Sequence, residues 1–141
     1  MGTVTLAGIN IDQPAPVLSV ALPPAPGGGS VYGGAVTAQF ICSDTGSGIA
    51  ACPADLVFSM EGPNQDATGT TTDLAGNTAS VTSASFGIDL TMPTIAVSLS
   101  PAPNANGWND GPVTAHFTCV DAGSGIAVCP PDEVVAADGV G

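Results

Sequence analysis

Residues 40–55 read FICSDTGSGIAACPAD, and residues 117–132 read FTCVDAGSGIAVCPPD. The constant positions include Cys42, Asp44 and Cys52, and each of them recurs at the same spacing further along the chain, as Cys119, Asp121 and Cys129. Self-similarity at a fixed period is typical of chains built from repeated structural units. The sequence therefore predicts a tandem array of small modules rather than one large domain.

The repeat divides the 141 residues into three parts. Residues 1–12 match residues 78–89, so they are expected to be the last strand of a preceding repeat. Residues 13–89 are predicted to form one complete repeat, and residues 90–141 a second repeat that lacks the counterpart of residues 65–89. We expect this truncated repeat to have open strand edges and lower stability. Residues 1–12 of another copy are one candidate for the missing last strand.

The apolar pattern along the repeat has a period of two, which is typical of half-buried strands. The predicted inward positions are Leu18, Val20 and Leu22 on the first strand and Val36, Ala38, Phe40 and Cys42 on the second. Further strands are predicted over residues 56–60, 67–72 and 78–88, with turns at 61–64 and 73–77. No segment has a helical pattern. The fold class is therefore all-β, an antiparallel β-sandwich of immunoglobulin-like type.

Each repeat contains two cysteines on either side of a Gly-Ser-Gly loop. Such a loop provides a turn that brings its two ends together, so Cys42 is expected to pair with Cys52, and Cys119 with Cys129. Disulfides imply an oxidising, extracellular compartment. Two buried thiols in a cytosolic protein are the alternative. A zinc site is disfavoured because the spacing is Cys-x9-Cys and His116 is the single histidine.

The charge composition restricts the possible partners. The chain has no Lys or Arg and twelve acidic residues, for a formal charge of −12. Nucleic acid and anionic membrane surfaces are excluded as partners, because no side chain can neutralise a phosphate. No apolar run is long enough to insert into a membrane. Residues 1–11 lack the basic and apolar regions of a signal peptide, so we expect any targeting signal to lie outside this sequence.

A cation is the partner that an acidic surface without basic residues can attract, and Ca²⁺ suits an extracellular setting. The strand directions predict that one end of the first complete repeat gathers several oxygen-bearing side chains. The candidate ligands are Asp12, Asp44, Asp73 and Asn77, with Asp89 and Asp121 at the equivalent positions of the next repeat. The alternative is that Asp44 and Asp73 cap their own turns through bonds to the backbone. No cofactor is required by either reading.

Three motifs together resemble the bacterial immunoglobulin-like repeats that occur in tandem along large secreted and cell-surface proteins. They are the cysteine-flanked loop motif of residues 40–52, the turn DLAGN at residues 73–77, and the linker pattern IDxxxP that starts at Ile88. The resemblance implies a spacer or stalk whose partners are the neighbouring repeats. Some related adhesin repeats bind Ca²⁺ between neighbours.

Catalysis is not expected from this composition. His116 occupies an outward position on its strand, where a surface role is the simplest interpretation. Acidic residues alone could serve a glycosidase, but a catalytic site repeated along a stalk is implausible. The rival function is a carbohydrate-binding or adhesive module, for which Tyr32 and Trp108 are the candidate stacking residues. They lie in corresponding turns but not at equivalent positions, and the ligand, a polysaccharide or a host surface, is not specified by the sequence.

Overall fold

The structure is a computed structural model in which residues 8–137 are described. The chain divides into two compact units between Asp89 and Leu90, which is also where the sequence repeat starts again. Over residues 8–137 the regular structure consists of strands and one short 3-10 turn at Pro26–Gly28. These residues contain no helix that is long and apolar enough to cross a membrane. The predicted all-β class is confirmed.

Short strands arranged in three sheets make up the described part of the first unit. They are β1 (Val17–Ala21), β2 (Val31–Tyr32), β3 (Val36–Ser43), β4 (Ile49–Ala51), β5 (Leu56–Phe58), β6 (Gly62–Gln65), β7 (Thr68–Asp73), β8 (Thr78–Thr82) and β9 (Phe86–Ile88). The sheets have the orders β1-β3-β5, β4-β7-β8 and β2-β9-β6. The pairing of β2 with β9 is parallel, and the other pairings in this unit are antiparallel.

The core of the first unit lies on one face of β3. Val36, Ala38 and Phe40 are buried, whereas the intervening Thr37 and Gln39 are exposed, as the period of two predicts. Two clusters form on this face, and both include residues from beyond position 65. Ala38 and Phe40 pack with Ala67 and the partly buried Val81, while Val36 packs with Phe86 and Ile88. The two sides of this core come from different sheets, which is the arrangement of a β-sandwich.

A close contact between β3 and β7 explains one glycine of the Thr-rich strand. A Cβ atom added at Gly69 would lie 2.6 Å from Cε1 of Phe40. The absence of a side chain at this position therefore makes room for the aromatic ring. The same core is completed by Phe86, whose ring meets Phe58 edge to face with the centroids 5.1 Å apart and meets Tyr32 at 5.9 Å.

The second unit repeats one of these sheets. Its described strands are β10 (Thr94–Ser100), β11 (Val113–Val120) and β12 (Glu133–Val135), in the order β10-β11-β12. They are the sequence equivalents of β1, β3 and β5. The repeat makes Ile95, Val97 and Leu99 on β10 the equivalents of the predicted inward residues Leu18, Val20 and Leu22, yet they are 60%, 59% and 52% exposed. Within residues 90–137 no second sheet covers them.

The structure corrects four details of the predicted strands. Residues 78–88 form two strands in different sheets, because the chain leaves β8 at Ser83, whose backbone N–H donates to the carbonyl of Ala67. Residues 61–64 were predicted as a turn, but Gly62–Gln65 pairs with β9. The short strands β2 and β4 were not predicted. Of the strand expected over residues 1–12, residues 1–7 lie outside the described residues, and residues 8–12 are not in a strand.

Candidate functional site

Both predicted disulfides are present, and each closes the Gly-Ser-Gly loop of its repeat. Cys42 lies in β3 and Cys52 directly follows β4, with 6.0 Å between their Cα atoms. Cys119 and Cys129 are joined in the second unit, at 5.9 Å. Because β3 and β4 belong to different sheets, the first bond links the two sides of the sandwich. In the chain-entropy model a loop of this size contributes about 3 kcal/mol to stability.

The loop between Cys42 and Cys52 is organised by carboxylates that accept backbone N–H groups. Oδ2 of Asp44 accepts from Gly46 at 3.0 Å and from Gly48 at 2.7 Å. Oδ2 of Asp12 accepts from the N–H of Ser47 at 2.6 Å. Asp12 lies before β1, so this bond ties the chain entering the unit to the loop. A Cβ at Gly46 would overlap the Asp12 carboxylate, so glycine at this position leaves room for the close approach of Asp12.

The turn between β7 and β8 lies against the same loop. The carboxylate of Asp73, which is 1% exposed, accepts from the backbone N–H of Asn77 and from its Nδ2, both at 2.8 Å. The Nδ2 group also donates to the carbonyls of Asp12 at 3.2 Å and Pro14 at 3.1 Å. Leu74 donates its N–H to the carbonyl of Gly48 at 2.9 Å. Asn77 thus connects the entering chain to the turn.

Among the described residues the structure brings three of the candidate calcium ligands together. One carboxylate oxygen from each of Asp12, Asp44 and Asp73 lies within 4.8 Å of the others, and we call these residues the acidic cluster. Asp89 and Asp121 are not members of it. Asp89 follows β9 and is 8% exposed, and Asp121 caps its own loop in the second unit through Gly123 at 2.8 Å.

The hydrogen bonds of the acidic cluster show that two of its carboxylates cap turns. Asn77 was expected to offer its amide oxygen to a cation, but the contacts described above use its nitrogen as a donor. Asp44 and Asp73 accept the backbone bonds that are typical of capped turns. Calcium binding therefore stays a prediction, and the cluster has a structural role that is independent of it.

The pKa of the Asp73 carboxyl is lowered from its ordinary value of 3.8. Burial by itself raises this pKa, because it disfavours the charged form. The side-chain and backbone hydrogen bonds from Asn77, with smaller contributions from Gly76 and Ala75, favour the carboxylate and outweigh the effect of burial. The folded first unit therefore holds Asp73 ionised.

The remaining candidate side chains do not converge on a catalytic arrangement within the described residues. His116 and Asp132 form an exposed pair with 2.6 Å between Nδ1 and Oδ2, which agrees with the predicted surface position of the histidine. Trp108 is 58% exposed in a turn capped by Asn104. Tyr32 packs on Phe86 and donates its hydroxyl to the carbonyl of Pro23 at 2.6 Å, so it serves the core rather than an open stacking surface.

No protein-family model, curated protein or solved structure matches this chain. The functional argument therefore rests on the repeat, the disulfides and the contacts of the described residues.

We predict that acid weakens the first unit partly through Asp73. A carboxyl whose pKa is lowered on folding contributes stability above its unfolded pKa, and this contribution is lost as the pH falls through 3.8 toward the folded value. The free energy of unfolding of the first unit, measured by urea titration from pH 6 to pH 2, should depend less on pH in Asp73→Asn than in the wild type. Asp66→Asn, an exposed position outside the acidic cluster, is the control. An unchanged pH profile in Asp73→Asn would contradict this account.

If the acidic cluster binds Ca²⁺, as the sequence predicts, the melting temperature of the wild type should be higher in millimolar Ca²⁺ than in chelator, because a ligand that binds the folded state stabilises it. Thermal unfolding of the wild type and of Asp73→Ala in both solutions provides the measurement. A rise with Ca²⁺ in the wild type that is absent in Asp73→Ala would support the calcium site, and identical melting curves in all four conditions would contradict it.

Proposed function

We propose that this chain is a non-catalytic spacer, part of a tandem array of immunoglobulin-like modules in an extracellular or cell-surface protein. The observation that carries the proposal is the repeat itself, in which two consecutive modules have the same disulfide-closed loop and the same three-strand order. Repetition of a module that is stabilised by its own disulfide adds length to a protein. Neighbouring repeats of the same chain are the natural partners of each module.

The immunoglobulin-like assignment is supported by the strand order of the first unit. If β1, β3, β4, β5, β7 and β8 are lettered A, B, C, E, F and G, the sheets β1-β3-β5 and β4-β7-β8 become ABE and CFG. The constant-type immunoglobulin sandwich places A, B and E in one sheet and C, F and G in the other. The strands β2, β6 and β9 form a further small sheet, from which Phe86 and Ile88 pack against Val36.

The extracellular location is supported by the two disulfides. All four cysteines of the chain are engaged in them. Structural disulfides persist in oxidising compartments and are rare in the cytosol. A small module with few aromatic residues gains particular benefit from such a bond, because its core alone contributes little surplus stability.

The roles of the polar residues also support a spacer over an enzyme. The carboxylates of the acidic cluster bind backbone amides of the loops that they organise. Such contacts hold an end of the sandwich together rather than present a reactive group to a substrate. The His116–Asp132 pair is exposed on both sides, at 46% and 51% of the side-chain surface, and is not enclosed in a cleft.

A carbohydrate-binding or adhesive module is the alternative function, and Trp108 is the observation that favours it. An exposed aromatic ring can stack on a sugar. However, the aromatic residue in the corresponding turn of the first repeat, Tyr32, belongs to the core. Its ring packs on Phe86 and its hydroxyl donates to the carbonyl of Pro23. The two turns therefore do not offer a repeated stacking platform.

We predict that neutral and acidic polysaccharides in the gel do not retard the full chain in affinity electrophoresis. The physical reason is that one isolated ring provides little contact area and the charge of −12 repels acidic glycans. Affinity electrophoresis of the wild type, Trp108→Ala and the control Met92→Ala, which alters a residue that is 83% exposed, measures this directly. Specific retardation that is lost in Trp108→Ala but kept in Met92→Ala would replace the spacer by the adhesive function.

A further inference from the structure

The sheet of the second unit reproduces the sheet β1-β3-β5 down to its residue register. In the first unit Leu18 pairs with Cys42 and Val20 with Phe40. In the second unit Ile95 pairs with Cys119 and Val97 with Phe117, at the equivalent positions of the repeat. The apolar face of one sheet is thus a chemical copy of the apolar face of the other.

In the first unit this apolar face is covered largely by one segment, residues 65–89. The residues that meet it are Ala67, Gly69, Val81, Phe86 and Ile88. With this cover in place Val36 is 0% exposed and Phe40 is 8% exposed. The first unit therefore shows which kind of segment fits the face.

In the second unit the equivalent face is open in the described part of the chain. The exposed fractions of Ile95, Val97 and Leu99 all exceed one half, and Val113 and Phe117 are only partly buried. Exposed apolar side chains that line one face of a sheet mark an interaction surface. We call the face formed by Ile95, Val97, Leu99, Val113 and Phe117 the open face.

A second difference between the two units concerns the short strands. In the first unit β4 pairs with β7 and β2 pairs with β9, so both of these short strands depend on residues 65–89. Their sequence equivalents, residues 126–128 and 108–109, are not in strands. Residues 126–128 keep the Gly-Ile-Ala-x-Cys context of β4, so the local sequence does not account for the difference. Residues 126–128 therefore lack the strand pairing that β4 has, whereas Trp108 is held by Asn104, to whose side chain its N–H donates and from whose N–H its carbonyl accepts.

We propose that the open face is a docking surface for a polypeptide segment with the strand pattern of residues 65–89. The segment would lay its small and apolar residues on the open face and pair with residues 126–128, completing a sandwich by strand addition. The inference goes beyond the spacer function, because it concerns what the second unit binds and requires only the fold.

The contact between the Phe117 ring and a glycine of the bound segment gives the docking surface its specificity. Phe40 is accommodated because Gly69 has no side chain, and Phe117 is the equivalent ring in the second unit. A segment with a large residue at the position of Gly69 would meet the Phe117 ring and be held away from the sheet. Strand pairing distinguishes this occupant from a second copy of the open face, since face-to-face contact of two such sheets leaves residues 126–128 without strand partners.

The test uses the full 141-residue chain and a synthetic peptide of residues 65–89. We expect a one-to-one complex by isothermal titration calorimetry, and slower amide exchange in residues 95–99 and 126–128 when the peptide is bound. The peptide with Gly69→Leu should bind at least about tenfold more weakly, because its side chain overlaps the ring. This variant leaves the protein itself unaltered.

Matched substitutions in the protein locate the binding surface. Val97→Asp, on the open face, should abolish binding, whereas Val120→Asp, on the opposite face of the same sheet, should preserve it. Equal affinity for the wild-type and Gly69→Leu peptides would overturn the proposal. Slower amide exchange confined to the first unit would also overturn it. A third overturning result would be self-association of the chain through the open face that added peptide does not disrupt.

Discussion

The packing of residues 65–89 onto the buried face of β3 is the interaction on which the rest of the structure depends. In the first unit it buries Val36, Ala38 and Phe40 and provides the strand partners of β2 and β4. In the second unit the same three-strand sheet and the same disulfide-closed loop form, but the apolar face stays exposed and the two short strands are absent over the described residues. The three-strand sheet and the disulfide-closed loop therefore form without residues 65–89 or their equivalent, whereas the buried face and the two short strands need them.

The acidic cluster illustrates how a chain without Lys or Arg stabilises its carboxylates. With no cationic side chain available, Asp12, Asp44 and Asp73 accept hydrogen bonds from backbone N–H groups and from the amide of Asn77. Such bonds favour the charged carboxylate, as the lowered pKa of Asp73 indicates. Glycine-rich loops suit this task because their N–H groups can turn toward one oxygen. The motif Asp-x-Gly-Ser-Gly is thus understandable as a structural device at the end of the sandwich.

Much of the fold could be predicted from the sequence, because alternation and loop chemistry are local signals. The inward positions of β3 and the two cysteine pairings depend on residues close in sequence, and both were predicted. The division of residues 78–88 into β8 and β9, and the pairing of β6 with β9, depend on distant partners that the alternation does not encode. The close approach of Asp12 to Gly46 joins residues that are far apart along the chain. Asp12, Asp44 and Asp73 were expected at one end from strand directions, whereas the donor role of Asn77 required atomic geometry.

Hydrogen exchange at equivalent amides of the two units tests the central role of residues 65–89 most directly. Val36, Ala38 and Phe40 occupy the same sheet positions as Val113, Ala115 and Phe117, so local strand pairing is matched and the covering segment is the main difference. The account predicts that the β3 amides of the first unit exchange at least about tenfold more slowly than the β11 amides of the second. Equal protection of the two sets, measured in the oxidised full-length chain, would contradict it.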